Sequence, residues 1–441
     1  MIALLTLGLI AIPVALVVGS LVTTRGYSMD EYVFGLTVVL MWVYSAGSAW
    51  VGLQATGRTS LAIGAAPVGN AVGVVRFACM VGIMTLVVLL IARNIGSVAN
   101  TSLLNLVYYL APSITITLLV FLYDAQIGLG VAMYALFGLS VWLSDIRQHC
   151  VAIIGWLTVL LAAVSMLLAI ADSELGLTAR GTGRTDEKAI FGETLLAGPF
   201  ASPNTLGLLL ALGLPAVWAF RRRSSSVVCS LLIGVALLWS ASRSSIIAAL
   251  CALLCLILVR RGFTRIAAMV PVVALAVVVI LPILTTDSTA FTGRGRIWLG
   301  SMEQWYSHKI LGAGPDFYQR LHLYWNSLGQ TAFHGHNLLV TTLVTGGLVT
   351  ATALVLLIFR FIWISANRAP INPVFLAWIS AFCAAGVLES TLDIRSPGYI
   401  GWITWPLFTL LLLGRTESNS PSDRARKEDS RSATASSLMR T

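Results

Sequence analysis

Charge is what this chain has least of. Only 10% of its 441 residues are charged, against 57% hydrophobic. A soluble domain carries about 25% charged residues, so a water-facing surface cannot be built from this composition and lipid must be the main solvent. Acid is scarcer than base, with 18 Asp and Glu against 28 Lys and Arg and a formal net charge of +10. The basic residues do not gather into one patch with polar residues between them. They stand singly or in short clusters between apolar runs, the distribution of membrane loops rather than of a nucleic-acid interface. Cys79, Cys150, Cys229, Cys251, Cys255 and Cys383 fall within or at the edge of apolar runs, and none belongs to a CxxC pair. That argues against both a disulfide framework and a cysteine-based metal site. No basic stretch precedes the first apolar run, which is therefore expected to be a retained spanning helix. No internal repeat is evident, which weakens an inverted-repeat transporter reading.

What is present is a succession of long apolar runs. A spanning helix needs about 20 such residues. That rule predicts an all-α, polytopic transmembrane bundle of about 12–13 spans. They fall near 2–22, 33–53, 72–92, 102–122, 126–143, 150–171, 204–220, 226–240, 244–260, 265–284, 337–364, 373–392 and 399–414. Arg25, Arg93, Arg147, Arg221 to Arg223, Arg260, Arg261, Arg265, Arg360 and Arg368 occupy alternate connections. Placing that set in the cytoplasm puts the N-terminus outside. It also collects the segments 173–203, Ser240–Arg243, 285–336 and 390–398 on the outer face. Three parts are expected: N-terminal helices over 1–172, a core over 173–414 containing a partly helical loop at 285–336, and a disordered, Ser-rich cytoplasmic tail over 415–441.

The loop 285–336 holds four of the five histidines (His308, His322, His334 and His336), with Arg294, Arg296, Lys309 and Arg320. Trp298, Trp305, Tyr306, Phe317, Tyr318, Tyr324, Trp325 and Phe333 are interleaved with them. Aromatic faces beside polar donors suit a sugar, whose C–H faces stack while its hydroxyls need partners. The same residues are also ordinary anchors at a membrane interface. Arg243 lies in Ser240-Ala-Ser-Arg243 with apolar runs on both sides and no sequence carboxylate as an obvious mate. It is either a snorkelling arginine at a hairpin tip or a fork for a phosphate. Pro203-Asn204 reads as a helix start, where free N–H groups could also hold an anion. His334 and His336, one residue apart, could contribute to a metal site but lack a nearby Cys or carboxylate to complete it. A single histidine acting as a base against an apolar wall is the other reading.

Taken in order, Phe200-Ala-Ser-Pro-Asn204, Ser240-Ala-Ser-Arg243, Gly295-Arg-Ile-Trp298, His308-Lys-Ile-Leu-Gly-Ala-Gly314, and His336-Asn337 with Gly346-Gly347 resemble one known pattern. It is that of the O-antigen ligase and O-antigen polymerase superfamily of bacterial membrane glycosyltransferases. The resemblance runs from about 195 to 350. It implies a metal-independent, cofactor-free, inverting transfer of a glycan from a polyprenyl diphosphate carrier to an acceptor hydroxyl on a glycan, lipid or protein. The reaction would take place on the outer face of the cytoplasmic membrane. By position, Arg243 and Arg296 would bind the diphosphate, with Arg294 as the alternative to Arg296, and His336 would activate the acceptor. Asn204, Trp298, Asn337 and His334 would contribute to substrate binding. Thr345 stands before Gly346 where the family often has an acidic residue, and His334 is additional to the pattern. Ligase and repeat-unit polymerase share this core. A transporter or flippase of anionic lipid-linked substrates, or a structural subunit of an envelope assembly, are the readings from other classes.

Overall fold

The structure, a computed structural model, describes residues 27–63, 70–97, 101–125, 128–178, 189–190, 192–323 and 334–415. The expected span at 2–22, the tail beyond Arg415, and Tyr324, Trp325 and Phe333 lie outside these residues. Among the described residues the chain is helical, with only two isolated bridges between extended segments. Among the described residues eight helices are long and apolar enough to cross a membrane, and the protein is a multi-pass membrane protein.

In chain order the principal helices are α1 (Met29–Trp42), α2 (Ser48–Ile63), α3 (Asn70–Asn94), α4 (Leu103–Tyr123), α5 (Gly130–Leu143), α6 (Val151–Ala171), α7 (Pro203–Val217) and α8 (Arg223–Ser240). They continue as α9 (Arg243–Arg260), α10 (Thr264–Leu284), α11 (Ala290–Ser307), α12 (Phe317–Leu323), α13 (Leu338–Arg368), α14 (Val374–Gly386) and α15 (Gly401–Leu412). Each apolar run expected from 33 onward has its helix. The run at 126–143 carries its helix from Gly130, which abuts the backbone of Arg395 so closely that a Cβ would meet the Arg395 carbonyl oxygen. The run at 373–392 ends early, at Gly386.

Two short helices make the core. Every residue of α14 and of α15 is buried, as expected for helices apolar all round. Phe361, Phe375, Trp378, Phe382 and Phe408 interlock there, mostly edge-on, with ring centroids 5.1–6.3 Å apart. The outer helices keep one apolar side open. Val74, Phe77, Val81, Val88 and Leu89 of α3 and Val227, Val228 and Leu231 of α8 are exposed, the surface that lipid tails cover.

The bundle has two chemically distinct ends. At one, Arg147 grips the buried Glu31 at 2.7 Å through both Nε and Nη2, Arg93 meets Asp30 at 3.1 Å, and Arg415 meets Asp145 at 2.6 Å. Arg360 forks onto the Asn105 amide oxygen at 2.8 and 3.0 Å, while the Asn105 Nδ2 donates to the Leu412 carbonyl. Residues 285–323 and 334–336, the α8–α9 hairpin and the segment 387–400 meet at the other.

Helix α13 is broken at Gly347, whose φ of 62° is left-handed. A break in an apolar helix leaves donors and acceptors that lipid cannot satisfy. The loop supplies them: the N–H groups of Leu348 and Val349 donate to the carbonyls of Lys309 and Ile310, and the Ala313 N–H donates to the Val344 carbonyl at 2.7 Å. Only glycine fits the contact. A Cβ on Gly347 would stand 2.1 Å from the Ile310 oxygen, and one on Gly312 would stand 2.6 Å from that of Val344. The sequence pieces His308 to Gly314 and Gly346-Gly347 are thus two halves of one joint.

Candidate active site

Three local structures deliver the charged residues. The first is the α8–α9 hairpin. Ser240 ends α8, Ala241 takes a left-handed φ of 48°, Ser242 is extended, and Arg243 opens α9. The hairpin sits directly on α7, where a Cβ on Gly207 would come 2.6 Å from that of Ser242. Asn204, half-buried two residues after the Ser202 cap, therefore shares this end of the bundle with Arg243. Arg243 is exposed and has no ion-pair partner among the described residues.

The second is the start of α11. Phe291, Thr292 and Gly293 all have positive φ (53°, 64° and 88°), so the regular helix begins only at Arg294. Residues two apart on a helix point about 200° from each other. Arg294 and Arg296 must therefore part. Arg294 turns inward and is 17% exposed, whereas Arg296 is exposed, with its backbone N–H on the Ser288 carbonyl.

The third is the entry to α13. Asn337 is fully buried and caps the helix, accepting from the N–H groups of Leu339 and Val340 and donating to the carbonyls of Val278 and Val387. Its amide is used up within the protein, which makes Asn337 a brace between α10, α13 and the end of α14. Trp298 is likewise an interior side chain. It is fully buried against Met302, Val340, Leu281 and Leu388, and no face of it is open to a ligand. His336 holds a left-handed φ of 45°. That conformation costs a β-carbon residue about 1–3 kcal/mol and persists only where neighbours enforce it; here the Asn337 cap does so.

The residue that joins these pieces was missed by the sequence reading. Glu389, three residues past the end of α14, is 6% exposed. Its Oε1 accepts from Arg294 at 2.5 Å, and its Oε2 lies 3.6 Å from Nδ1 of His336, an ion-pair distance longer than a hydrogen bond. Burial pushes its carboxyl up, but His336 and the Arg294 guanidinium outweigh burial and hold it below the ordinary value. Glu389 is the only charged residue in the run 374–392, and an acid inside an apolar run is itself a functional signal.

Glu389 also alters the metal argument. With His334 and His336 it forms a set whose ligand atoms all lie within 4.8 Å of one another, so the carboxylate that seemed lacking is present. The set is a poor fit for a cation. Arg294 already supplies positive charge to the carboxylate, and Nδ1 of His334 is taken by the His336 N–H at 3.0 Å. The His334 ring lies 4.3 Å from that of His336, centroid to centroid. Burial, then the neighbouring His336, drive its pKa down to about 3, so it is a neutral imidazole with its proton on Nε2.

An apolar cavity of about 750 Å³ lies beside this cluster. It runs between α9 and α10 from Ser244 to Leu258, about 20 Å along the helix axis, and Phe291, Val387 and Leu388 also line it. Its upper end adjoins Arg243 in sequence and the turn that carries Arg294 and Arg296.

No curated protein matches the chain. Residues 227–355, which contain Arg243, Arg294, Arg296, His334 and His336 but stop short of Glu389, match the family model described as O-antigen ligase. Over that segment the chain is similar to the membrane glycosyltransferases of the O-antigen ligase and polymerase superfamily.

Proposed function

We propose that this protein transfers a glycan from a polyprenyl diphosphate carrier to an acceptor hydroxyl, outside the cytoplasm. The observation that carries the reading is the Arg294–Glu389–His336 relay, a histidine in an enforced backbone conformation with a carboxylate on its Nδ1 side. The negative charge of a carboxylate there favours the ring proton on Nδ1, which leaves Nε2 as the acceptor of a proton. The exposed Arg243 and Arg296 are free to take the diphosphate, and the groove below them suits an isoprenoid chain.

In the step, the acceptor oxygen attacks the anomeric carbon from the side opposite the diphosphate. A new C–O bond forms between the acceptor oxygen and the anomeric carbon, and the bond between that carbon and the diphosphate oxygen breaks. The electron pair leaves on the diphosphate oxygen, and the hydroxyl proton passes to Nε2 of His336. Guanidinium groups fixed at low dielectric favour the departing charge, and the base aids the incoming oxygen. The distribution of basic residues supports an outward-facing site, because Arg93, Arg147, Arg360, Arg368 and Arg415 collect at the other end. Neither ligation nor polymerisation changes this chemistry; they differ in the acceptor.

The test is transfer by purified protein in nanodiscs, with a polyprenyl diphosphate-linked glycan as donor. Wild type should move the glycan, and Arg243→Ala, Arg296→Ala and His336→Ala should each abolish transfer while staying folded. Full activity in all three variants would overturn the reading.

A further inference from the structure

A second cavity is lined by His334, and its wall, though largely apolar, carries more polar groups than that of the groove. Its volume is about 240 Å³, and its lining includes His334, Thr350, Ser390, Asp393, Arg395 and Tyr399. The strand of chain that leaves α14 divides the two spaces. Val387 and Leu388 face the groove, Ser390 faces the second cavity, and Glu389 sits between them.

We propose that this second cavity is the acceptor subsite and that it holds one uncharged sugar ring; the assignment rests on the glycosyl-transfer reading. Three observations point that way. First, its donors and acceptors are mixed. His334, with Nδ1 occupied by a backbone N–H, offers Nε2–H, and Arg395, anchored by Nη1 on the Pro315 carbonyl at 2.5 Å, brings a guanidinium. Asp393, whose Oδ1 accepts the Arg395 N–H at 2.9 Å, brings a carboxylate. A hydroxyl both gives and takes a hydrogen bond and so uses such a set in full.

Second, the carboxylate argues against a phosphate, which the arginines at the groove suit better. Third, the space is below the roughly 300–1,000 Å³ of sites for drug-sized ligands, which fits a single ring. The 4.3 Å between the two histidine rings then brings a hydroxyl held at His334 within reach of His336.

This arrangement puts the donor groove and the acceptor cavity on opposite sides of the chain that carries Glu389. It also gives His334 a role: a permanently neutral donor that positions the acceptor without competing for its proton.

Ser390→Cys in a Cys251→Ser background places a thiol on the cavity wall, and its alkylation can be followed in nanodiscs. Methyl hexosides and methyl N-acetylhexosaminides serve as one set of probes, and geranylgeranyl diphosphate as the other. Slowing of alkylation by at least one glycoside but not by the isoprenoid diphosphate is expected. Asp393→Asn should weaken that protection and raise the acceptor KM roughly tenfold, the loss of about one good hydrogen bond, with the donor KM unchanged. Protection by the isoprenoid diphosphate alone, or by none of the probes, overturns the assignment. The two failures are separable. Wild-type protein that moves no glycan overturns the transfer reading, whereas active protein whose introduced thiol no glycoside protects overturns the cavity assignment.

Discussion

Arg294 closes on Glu389 at 2.5 Å although 95 residues of chain separate them, and both are largely buried. Removing one partner of a buried pair leaves an uncompensated charge and costs about 3–5 kcal/mol. Glu389→Gln is therefore expected to lower the melting temperature and, by freeing His336, to cut kcat about 10²-fold or more. In the double variant Arg294→Met/Glu389→Gln, thermal stability should recover and activity should not. Thermal melts beside transfer assays decide this; a double variant as active as wild type removes Glu389 from the mechanism.

Arg243 and Arg296 carry no such structural duty, because both are exposed. Arg243→Lys and Arg296→Lys should keep the melting temperature within about a degree, since surface changes usually stay within ±0.5 kcal/mol. They should nevertheless lose transfer by about 10²-fold, because lysine cannot present two parallel donors to a phosphate. Retention of wild-type kinetics in both would place the diphosphate elsewhere.

Glu389 also sets a pH response. Its carboxyl is held below the ordinary value of 4.5. A depressed folded-state pKa means that the pair's contribution is complete above the ordinary carboxylate range and is lost as pH falls through the depressed value. Wild-type stability should therefore hold down to the ordinary carboxylate range and fall as pH drops from there to the depressed value. Glu389→Gln should lack this acid limb. Melting temperature against pH for the two proteins is the measurement, and superimposable acid limbs would contradict it.

The glycine joint can be tested without touching chemistry. Gly347→Ala forces a Cβ into the Ile310 carbonyl at a left-handed φ, and Gly312→Ala does the same at Val344. Each should destabilise by about 2 kcal/mol or more and reduce monodisperse yield by size-exclusion chromatography. Paired in one chain they should cost less than the sum of the two, because they break the same contact.

Since Arg294 supplies the positive charge at Glu389, chelation should be without effect. Transfer measured after exhaustive EDTA treatment should match the untreated rate; activity that returns only on adding back a divalent cation would assign the His334–His336–Glu389 set to a metal.

The helices were legible in the sequence because nothing but a spanning helix suits an unbroken apolar run of this length, and the arginines at alternate connections sorted the two ends. The site was legible only in part. Arg243 stood out because its surroundings are apolar, and His336 because histidine is rare here. The choice between Arg294 and Arg296 was not readable, since it depends on the left-handed turn at Phe291 to Gly293 that fixes where the helix phase begins. Glu389 was hidden inside a run counted as a single span, and its contact with His336 is set by the packing of α13 and α14. For Asn337 and Trp298 the sequence did not show the structural part they play: the amide caps a helix and the indole is buried beneath the loop.

The joint between the loop and the broken helix also dictates an order of assembly. The backbone of α13 at Gly347 is complete only when Lys309, Ile310 and Ala313 lie against it. A nascent chain must therefore bring residues 309–313 to this end of the bundle before α13 can settle in lipid without unsatisfied peptide groups. The loop that positions the two arginines is in this sense a clasp on the membrane domain. A chain that misplaced it would be left with an unfinished helix, so correct placement of the loop and completion of the helix are one event.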